Sequence, residues 1–224
     1  MQMLQSSIGR KLVMAATGLC LVGFVLVHLL GNSSVFIPGG INAYAEHLHA
    51  LGPLVWIFRL IMLGLFGLHI FFGIQLTLEN RAARPIDYNQ KKNIRTSFGA
   101  ETMIYSGLAL LAFVVYHLLH FTMHVTNPEI SVGAIPLDAL GRADVFTMVV
   151  HSFQKFFISA IYAGAMVTLL LHLTHAIQSL FQTFGVLNSS TLPVMEKIAR
   201  AAAVVIFVGF VSIPVSILLG LINL

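Results

Sequence analysis

The sequence predicts an all-α protein, an integral membrane bundle of five transmembrane helices forming one domain over residues 1–224. Three observations carry this. Of the 224 residues, 58% are hydrophobic and only 9% charged, where a soluble domain carries roughly a quarter. The apolar residues fall into five long blocks, about 11–30, 54–78, 101–124, 149–180 and 199–222, and each reaches the ~20 residues that cross a hydrocarbon core. The charged residues gather towards the ends of those blocks and between them. The blocks fill more than half of the chain, so no second, soluble domain is expected.

The first span is predicted from Lys11 to about Leu30, ending at the turn-prone pair Gly31-Asn32. Arg10-Lys11 before an apolar run also resembles a signal peptide, but Gly31-Asn32-Ser33-Ser34 has no small-residue cleavage pattern. The segment is therefore read as a retained span. The connection 31–53 holds Pro38-Gly39-Gly40 and then the polar run Asn42 to His49, unbroken until Gly52-Pro53; this predicts a short interfacial helix. The second span, 54–78, ends at Glu79-Asn80-Arg81, and the connection 79–100 contains Pro85 and five of the twelve lysines and arginines. The third span runs from Glu101 to His124. Pro128, Pro136, Glu129, Asp138 and Asp144 mark the connection 125–148. The fourth span begins between Val149 and Lys155 and reaches Leu180. The fifth, 199–222, carries Pro214, which kinks a helix or frees one carbonyl.

The net charge of +4 reads as a topology signal rather than a nucleic-acid site. Arg10, Lys11, Arg81, Arg84, Lys91, Lys92, Arg95, Lys197 and Arg200 all fall on one side if the spans alternate, while only Arg59, Arg142 and Lys155 fall near the other. By the positive-inside rule the N-terminus is cytoplasmic and the C-terminus outside. Cys20 is the only cysteine. A disulfide framework, a cysteine-ligated iron–sulfur cluster and covalent c-type haem are thereby excluded.

Ten histidines in so apolar a chain are the informative feature. Four spans carry them: His28; His69; His117, His120 and His124; His172 and His175. Ionisable groups inside a bilayer are costly and mark function by default. Depth follows from the alternating direction of the spans and a rise of ~1.5 Å per residue. His28, 17 residues past Lys11, and His117, 16 past Glu101, both lie in the outer half. His69, ten before Glu79, and His172, 17 past Lys155, both lie in the inner half. Two histidines facing each other at one depth supply both axial ligands of a haem iron. Two such levels make a transmembrane electron path through two b-type haems. Gly31, Gly73, Gly107 and Gly164 lie on the same four spans and give a flat macrocycle room.

Other readings stay open. A histidine in a membrane helix also serves as a simple interhelical hydrogen-bonding group, as in a transporter or structural anchor. The i, i+3 pairs His117/His120 and His172/His175 share a helix face and raise a dinuclear metal site. Di-iron bundles need inward carboxylates, which these spans lack. His120 and His175 are read instead as groups supporting the iron ligands, and His124 and His151 lie near the outer interface.

The residues resemble a known family. Phe24-Val25-Leu26-Val27-His28-Leu29-Leu30-Gly31-Asn32, Asn42-Ala43-Tyr44-Ala45 through Leu51-Gly52-Pro53 and Leu68-His69-Ile70-Phe71-Phe72-Gly73 are three of the similar stretches. Tyr116-His117-Leu118-Leu119-His120-Phe121, and His172-Leu173-Thr174-His175 followed by Phe181-Gln182-Thr183-Phe184-Gly185, complete them. Together, in order and over essentially the whole chain, they resemble the five-span di-haem cytochrome b membrane anchor of succinate:menaquinone oxidoreductases and fumarate reductases.

The resemblance implies that His28 and His117 hold a distal haem and His69 and His172 a proximal one, in agreement with the depth argument. It implies a flavoprotein and an iron–sulfur subunit docked on the cytoplasmic side, near the basic second connection, and a menaquinone site near the outer face. Glu46, beside His47 and near His49, is the candidate for proton transfer at that quinone. Arg59 and Lys155 are candidates for the distal haem propionates, against the alternative of snorkelling to the interface. Relatives with an acid two residues before the fourth-span ligand use it to carry protons; here that position is Leu170, which puts such a pathway in doubt. Cytochrome b subunits of hydrogenases and formate dehydrogenases, which also use paired membrane histidines, remain the alternative within the same class.

Overall fold

The Ser6 hydroxyl accepts the Gly9 N–H at 3.0 Å, satisfying one of the free donors at a helix start. From there α1 runs as Ser7–Ser33 and continues into a 3₁₀ turn, Ser34–Phe36. In this computed structural model the described residues are 6–83, 98–131 and 133–224. The basic run Arg84, Lys91, Lys92 and Arg95, with Pro85, lies outside them. Gly39, at φ 69°, turns the chain into α2, Gly40–Ala50, the short helix expected in that connection. Gly52 turns it again at φ 54°, and Pro53 opens α3, Pro53–Ala82, where its missing N–H costs nothing.

A single turn, α4 (Phe98–Glu101), precedes α5, Met103–His117. The last turn of this span widens into a π-helix, Leu118–Thr122, a rare form that is often met at functional sites. His124 then takes a left-handed φ of 54°, a conformation that histidine tolerates better than branched residues. The Asp144 carboxylate caps α6, Val145–Phe153, by accepting the Thr147 N–H at 3.0 Å. Helices α7 (Phe156–Thr183) and α8 (Leu192–Leu218) complete the chain, and α8 remains continuous through the buried Pro214. Among the described residues the fold is all-α, and five helices are long and apolar enough to cross a membrane.

Two predicted boundaries shift. The apolar block 149–180 is two helices, α6 and α7, separated at Gln154-Lys155. Lys155 is extended (φ −80°, ψ 109°), its ammonium engages the Glu129 carboxylate, and the buried Ser159 hydroxyl takes the Phe153 carbonyl at 2.6 Å. Hydropathy cannot register a break made by side-chain bonds. Helix α8 begins at Leu192 rather than 199, because Pro193 presets its first turn and the helix carries Glu196, Lys197 and Arg200.

Helix α7 packs along α8 and on α5, and α1 packs on α3, α7 and α8. Gly209 of α8 lets Leu29 of α1 come close: a Cβ there would sit 2.9 Å from the leucine methyls. Small residues of this kind set helix approach in membranes. One core gathers Leu29, Leu173, Ala203 and Ile206; a second, nearer α2 and α6, gathers Val35, Ile41, Val150, Phe153, Tyr162 and Ile213. Trp56, Ile57, Leu60, Ile61 and Leu63 of α3 stay exposed, the surface a lipid contact requires.

A polar cap closes the end that carries α2 and α6. The buried Asn42 donates to Asp138 at 3.2 Å and to Asp144 at 3.1 Å, and accepts the Phe146 N–H at 2.8 Å. Arg142 pairs with Asp138 at 2.8 Å and approaches Glu46 at 3.8 Å. The Arg142 N–H, outweighing partial desolvation, with the Arg142 guanidinium, the Leu140 N–H and the Asn42 amide, holds the Asp138 carboxyl down at about 2. At the opposite end, Arg10 bridges α1 to Glu79 of α3 at 2.9 Å.

Candidate haem-binding histidine pairs

The structure brings the four span histidines together as the two pairs that depth predicts. The rings of His69 (α3) and His172 (α7) lie 6.5 Å apart between centroids, and those of His28 (α1) and His117 (α5) lie 5.8 Å apart. A metal–imidazole bond of ~2 Å, with roughly 1 Å from nitrogen to ring centre on each side, puts two axial imidazoles ~6 Å apart. Both separations fit an iron held between two rings.

The hydrogen bonds of the His69–His172 pair fix which nitrogen is free. His69 Nδ1 lies 3.3 Å from the Met14 carbonyl, and a carbonyl only accepts, so the proton sits on Nδ1. Thr17 stands 3.4 Å away, but its own proton goes to the carbonyls of Val13 (2.8 Å) and Met14 (3.0 Å). His172 Nδ1 lies 3.1 Å from the Ser106 hydroxyl, whose proton goes to the Met103 carbonyl at 3.0 Å. With its proton on that carbonyl, the serine is free to accept from His172 Nδ1. In this arrangement both rings carry Nδ1–H, and each Nε2 is left without a hydrogen-bond partner among the described residues. This is the neutral tautomer that ligates metals, with the ring N–H anchored as metal-bound histidines anchor theirs.

In the second pair, His117 Nδ1 meets the Tyr162 hydroxyl at 3.3 Å, again leaving Nε2 open. His28 differs. The Asn32 amide reaches its Nε2 at 3.3 Å while making its shorter bond, 2.8 Å, to the His28 carbonyl. Ligation through that nitrogen requires Asn32 to give up the longer contact and keep the shorter one. Phe24 stacks on the His28 ring at 5.4 Å, and Phe113 and Phe121 flank His117. The walls around the pair are thus apolar and aromatic.

The glycines act differently from their expected role. Gly18, which periodicity did not single out, makes room for the His69 ring, whose Cε1 would lie 3.2 Å from a Cβ. Gly107 does the same for His172 at 3.6 Å. Gly31 is covered by Tyr44 of α2, whose ring would be 2.5 Å from a Cβ; Gly73 meets only Met14 Sδ at 4.0 Å; Gly164 lies exposed with open space beside it.

His120 is fully buried, with Nδ1 2.9 Å from Tyr162 and Nε2 without a partner among the described residues. His175 packs its Cβ against Gly99 of α4. Among the described residues no three His, Cys, Asp or Glu side chains converge on a metal position, so the dinuclear alternative lacks its donors. Glu46, His47 and His49 are exposed on α2. His49 lines an open cavity of about 540 Å³ with Gly52, Pro53, Val55, Trp56 and Arg59; Glu46 and His47 are outside that lining. Arg59 holds its guanidinium 4.9 Å over the Trp56 ring, whereas Lys155 is engaged by Glu129. Ser106, Thr17 and Tyr162, whose hydroxyls stand beside the rings, escape sequence reasoning because a hydroxyl in a membrane helix most often bonds its own backbone. Compared with models of known families, with curated proteins and with solved structures, the chain matches none.

Proposed function

We propose that this multi-pass membrane protein is the membrane-anchor cytochrome b subunit of a succinate dehydrogenase or fumarate reductase complex, linking an iron–sulfur subunit to menaquinone. One observation carries the haem part of this reading. In the His69–His172 pair, each Nδ1 stands beside a group able to accept its proton, the Met14 carbonyl or Ser106 Oγ, and the two rings lie 6.5 Å apart, so each Nε2 would be free to hold a metal. When bound, each haem supplies a one-electron iron couple inside the bilayer.

The residues divide the work as follows. His69 and His172 hold the proximal group, His28 and His117 the distal one. Met14, Ser106 and Tyr162 orient three of those rings and raise their basicity by accepting the Nδ1–H. The apolar walls exclude water. The cavity at His49, Trp56 and Arg59 is assigned to the quinone head: imidazole and guanidinium offer donors to its carbonyls, and Trp56 offers an apolar face. Glu46, one turn from the cavity and near Arg142, is the carboxylate assigned to proton exchange there. The proposed location is a bacterial cytoplasmic membrane, N-terminus inside. The flavoprotein and iron–sulfur subunits dock at the Arg10–Glu79 end.

The test is to purify the complex with His69→Leu or His172→Leu. Each removes one of two haems and leaves the other; loss of neither contradicts the ligand assignment. Co-purification of a flavin-bearing subunit separates this reading from a hydrogenase or formate dehydrogenase cytochrome b.

A further inference from the structure

We infer that Tyr162 is a positioning residue for His117, its single hydroxyl proton coupling the tautomer of that histidine to the tautomer of the buried His120. The inference rests on the haem reading above and concerns residues that the ligand set itself does not include.

The Tyr162 oxygen stands between two imidazoles, 3.3 Å from His117 Nδ1 and 2.9 Å from His120 Nδ1. A phenol has one proton to give, and these two nitrogens are the only acceptors beside it among the described residues, so one of them must take it. If both contacts are hydrogen bonds, only two arrangements satisfy them. In the first, His117 Nδ1–H donates to the phenol, which donates to His120 Nδ1; His117 Nε2 is then bare, and His120 carries its proton on Nε2. In the second, every donor reverses, and His117 Nε2 carries a proton. Only the first leaves His117 able to bind iron. Iron at His117 therefore dictates where His120 holds its proton, across a hydroxyl that touches neither the iron nor the partner ring His28.

Three features keep the coupling tight. His120 is 0% exposed and Tyr162 is buried, so water cannot take over either bond. The Tyr162 ring is held edge-on by Phe113 at 5.1 Å and Phe153 at 5.0 Å, and His120 lies 4.1 Å from the Phe121 ring, so neither side chain swings away. His120 also sits in the π-turn at the end of α5, three residues from the ligand it is coupled to. Among the described residues its Nε2 is buried without a partner; in the iron-competent arrangement that atom is a donor.

An acceptor on Nδ1–H makes an imidazole a stronger donor to iron and favours the oxidised metal. Tyr162→Phe removes that acceptor from His117 alone, because the proximal ligands use Met14 and Ser106. The experiment is a potentiometric titration of the two haems in the purified complex, wild type against Tyr162→Phe. The expected result is two retained haems with one potential raised, by about 59 mV if the reduction equilibrium shifts tenfold, and the other unmoved. Two retained haems with both potentials unmoved overturn the role of Tyr162 while leaving the haem reading intact. Wild-type complex that binds no haem overturns both. Should Tyr162→Phe fail to fold, ¹⁵N spectra of histidine-labelled wild-type complex decide: His120 protonated on Nε2 in haem-loaded protein supports the relay, and His120 protonated on Nδ1 overturns it.

Discussion

The Nδ1 of His172 sits 3.1 Å from the Ser106 hydroxyl, and that hydroxyl also reaches the Met103 carbonyl at 3.0 Å. With its proton on that carbonyl, the serine accepts from the histidine. Across the bundle, His69 Nδ1 faces the Met14 main-chain carbonyl at 3.3 Å, an acceptor by chemistry rather than by arrangement. One ring of the pair is oriented by a side chain and the other by backbone, so substitution reaches them unequally.

Ser106→Ala removes the acceptor of His172, and loss of a supporting partner costs a metal site about 10–100-fold in affinity. Haem titration of the purified variant is expected to show that weakening at one site only. Thr17→Val leaves the Met14 carbonyl in place and is expected to change affinity much less. Equal losses in the two variants would contradict the tautomer argument.

Gly31 and Tyr44 offer a test of packing apart from any cofactor. A Cβ at residue 31 would lie 2.5 Å from the Tyr44 ring, so Gly31→Ala forces α2 away from α1. Overpacking of this kind costs about 1–3 kcal/mol. Melting in detergent is expected to drop for Gly31→Ala and to recover partly in Gly31→Ala with Tyr44→Ala, since contacting residues couple. An unchanged melting temperature in the single variant counts against the close approach.

The polar cap carries a pH dependence. The Arg142 N–H and the groups around it hold Asp138 down at about 2, against about 3.9 in an unfolded chain. A depressed carboxyl stabilises the fold above the unfolded value and loses that contribution as pH falls through the folded one. Stability of the cap is therefore expected to fall between about pH 4 and pH 2. Asp144 shifts down as well: burial pushes it up, but the bonds from Thr147 and Asn42 outweigh that. Asp138→Asn is expected to melt lower at pH 5 and to show a flatter acid profile; a profile matching wild type sinks the assignment.

Much of this was legible in sequence, for identifiable reasons. Span count comes from hydropathy, and the pairing of His28 with His117 and of His69 with His172 comes from counting residues along helices of fixed rise and alternating direction. The break at Gln154-Lys155 was hidden because Ser159, Glu129 and the Phe153 carbonyl make it, and none alters apolar periodicity. The hydroxyls of Ser106, Thr17 and Tyr162 were hidden because their roles depend on what faces them across helices. In sequence Gly31 reads as room for a macrocycle, whereas Tyr44, folded back from α2, occupies that space. Arg59 and Lys155 looked alike in sequence, yet one lies over Trp56 beside the cavity and the other is paired with Glu129.

The most direct test of the central claim is a dithionite-reduced minus oxidised absorption spectrum of the purified, haem-supplied membrane protein, with haem counted as the pyridine haemochrome. Two b-type haems per chain are the result this account requires. Folded protein that binds none would return the four histidines to packing roles and the chain to the class of non-redox membrane proteins.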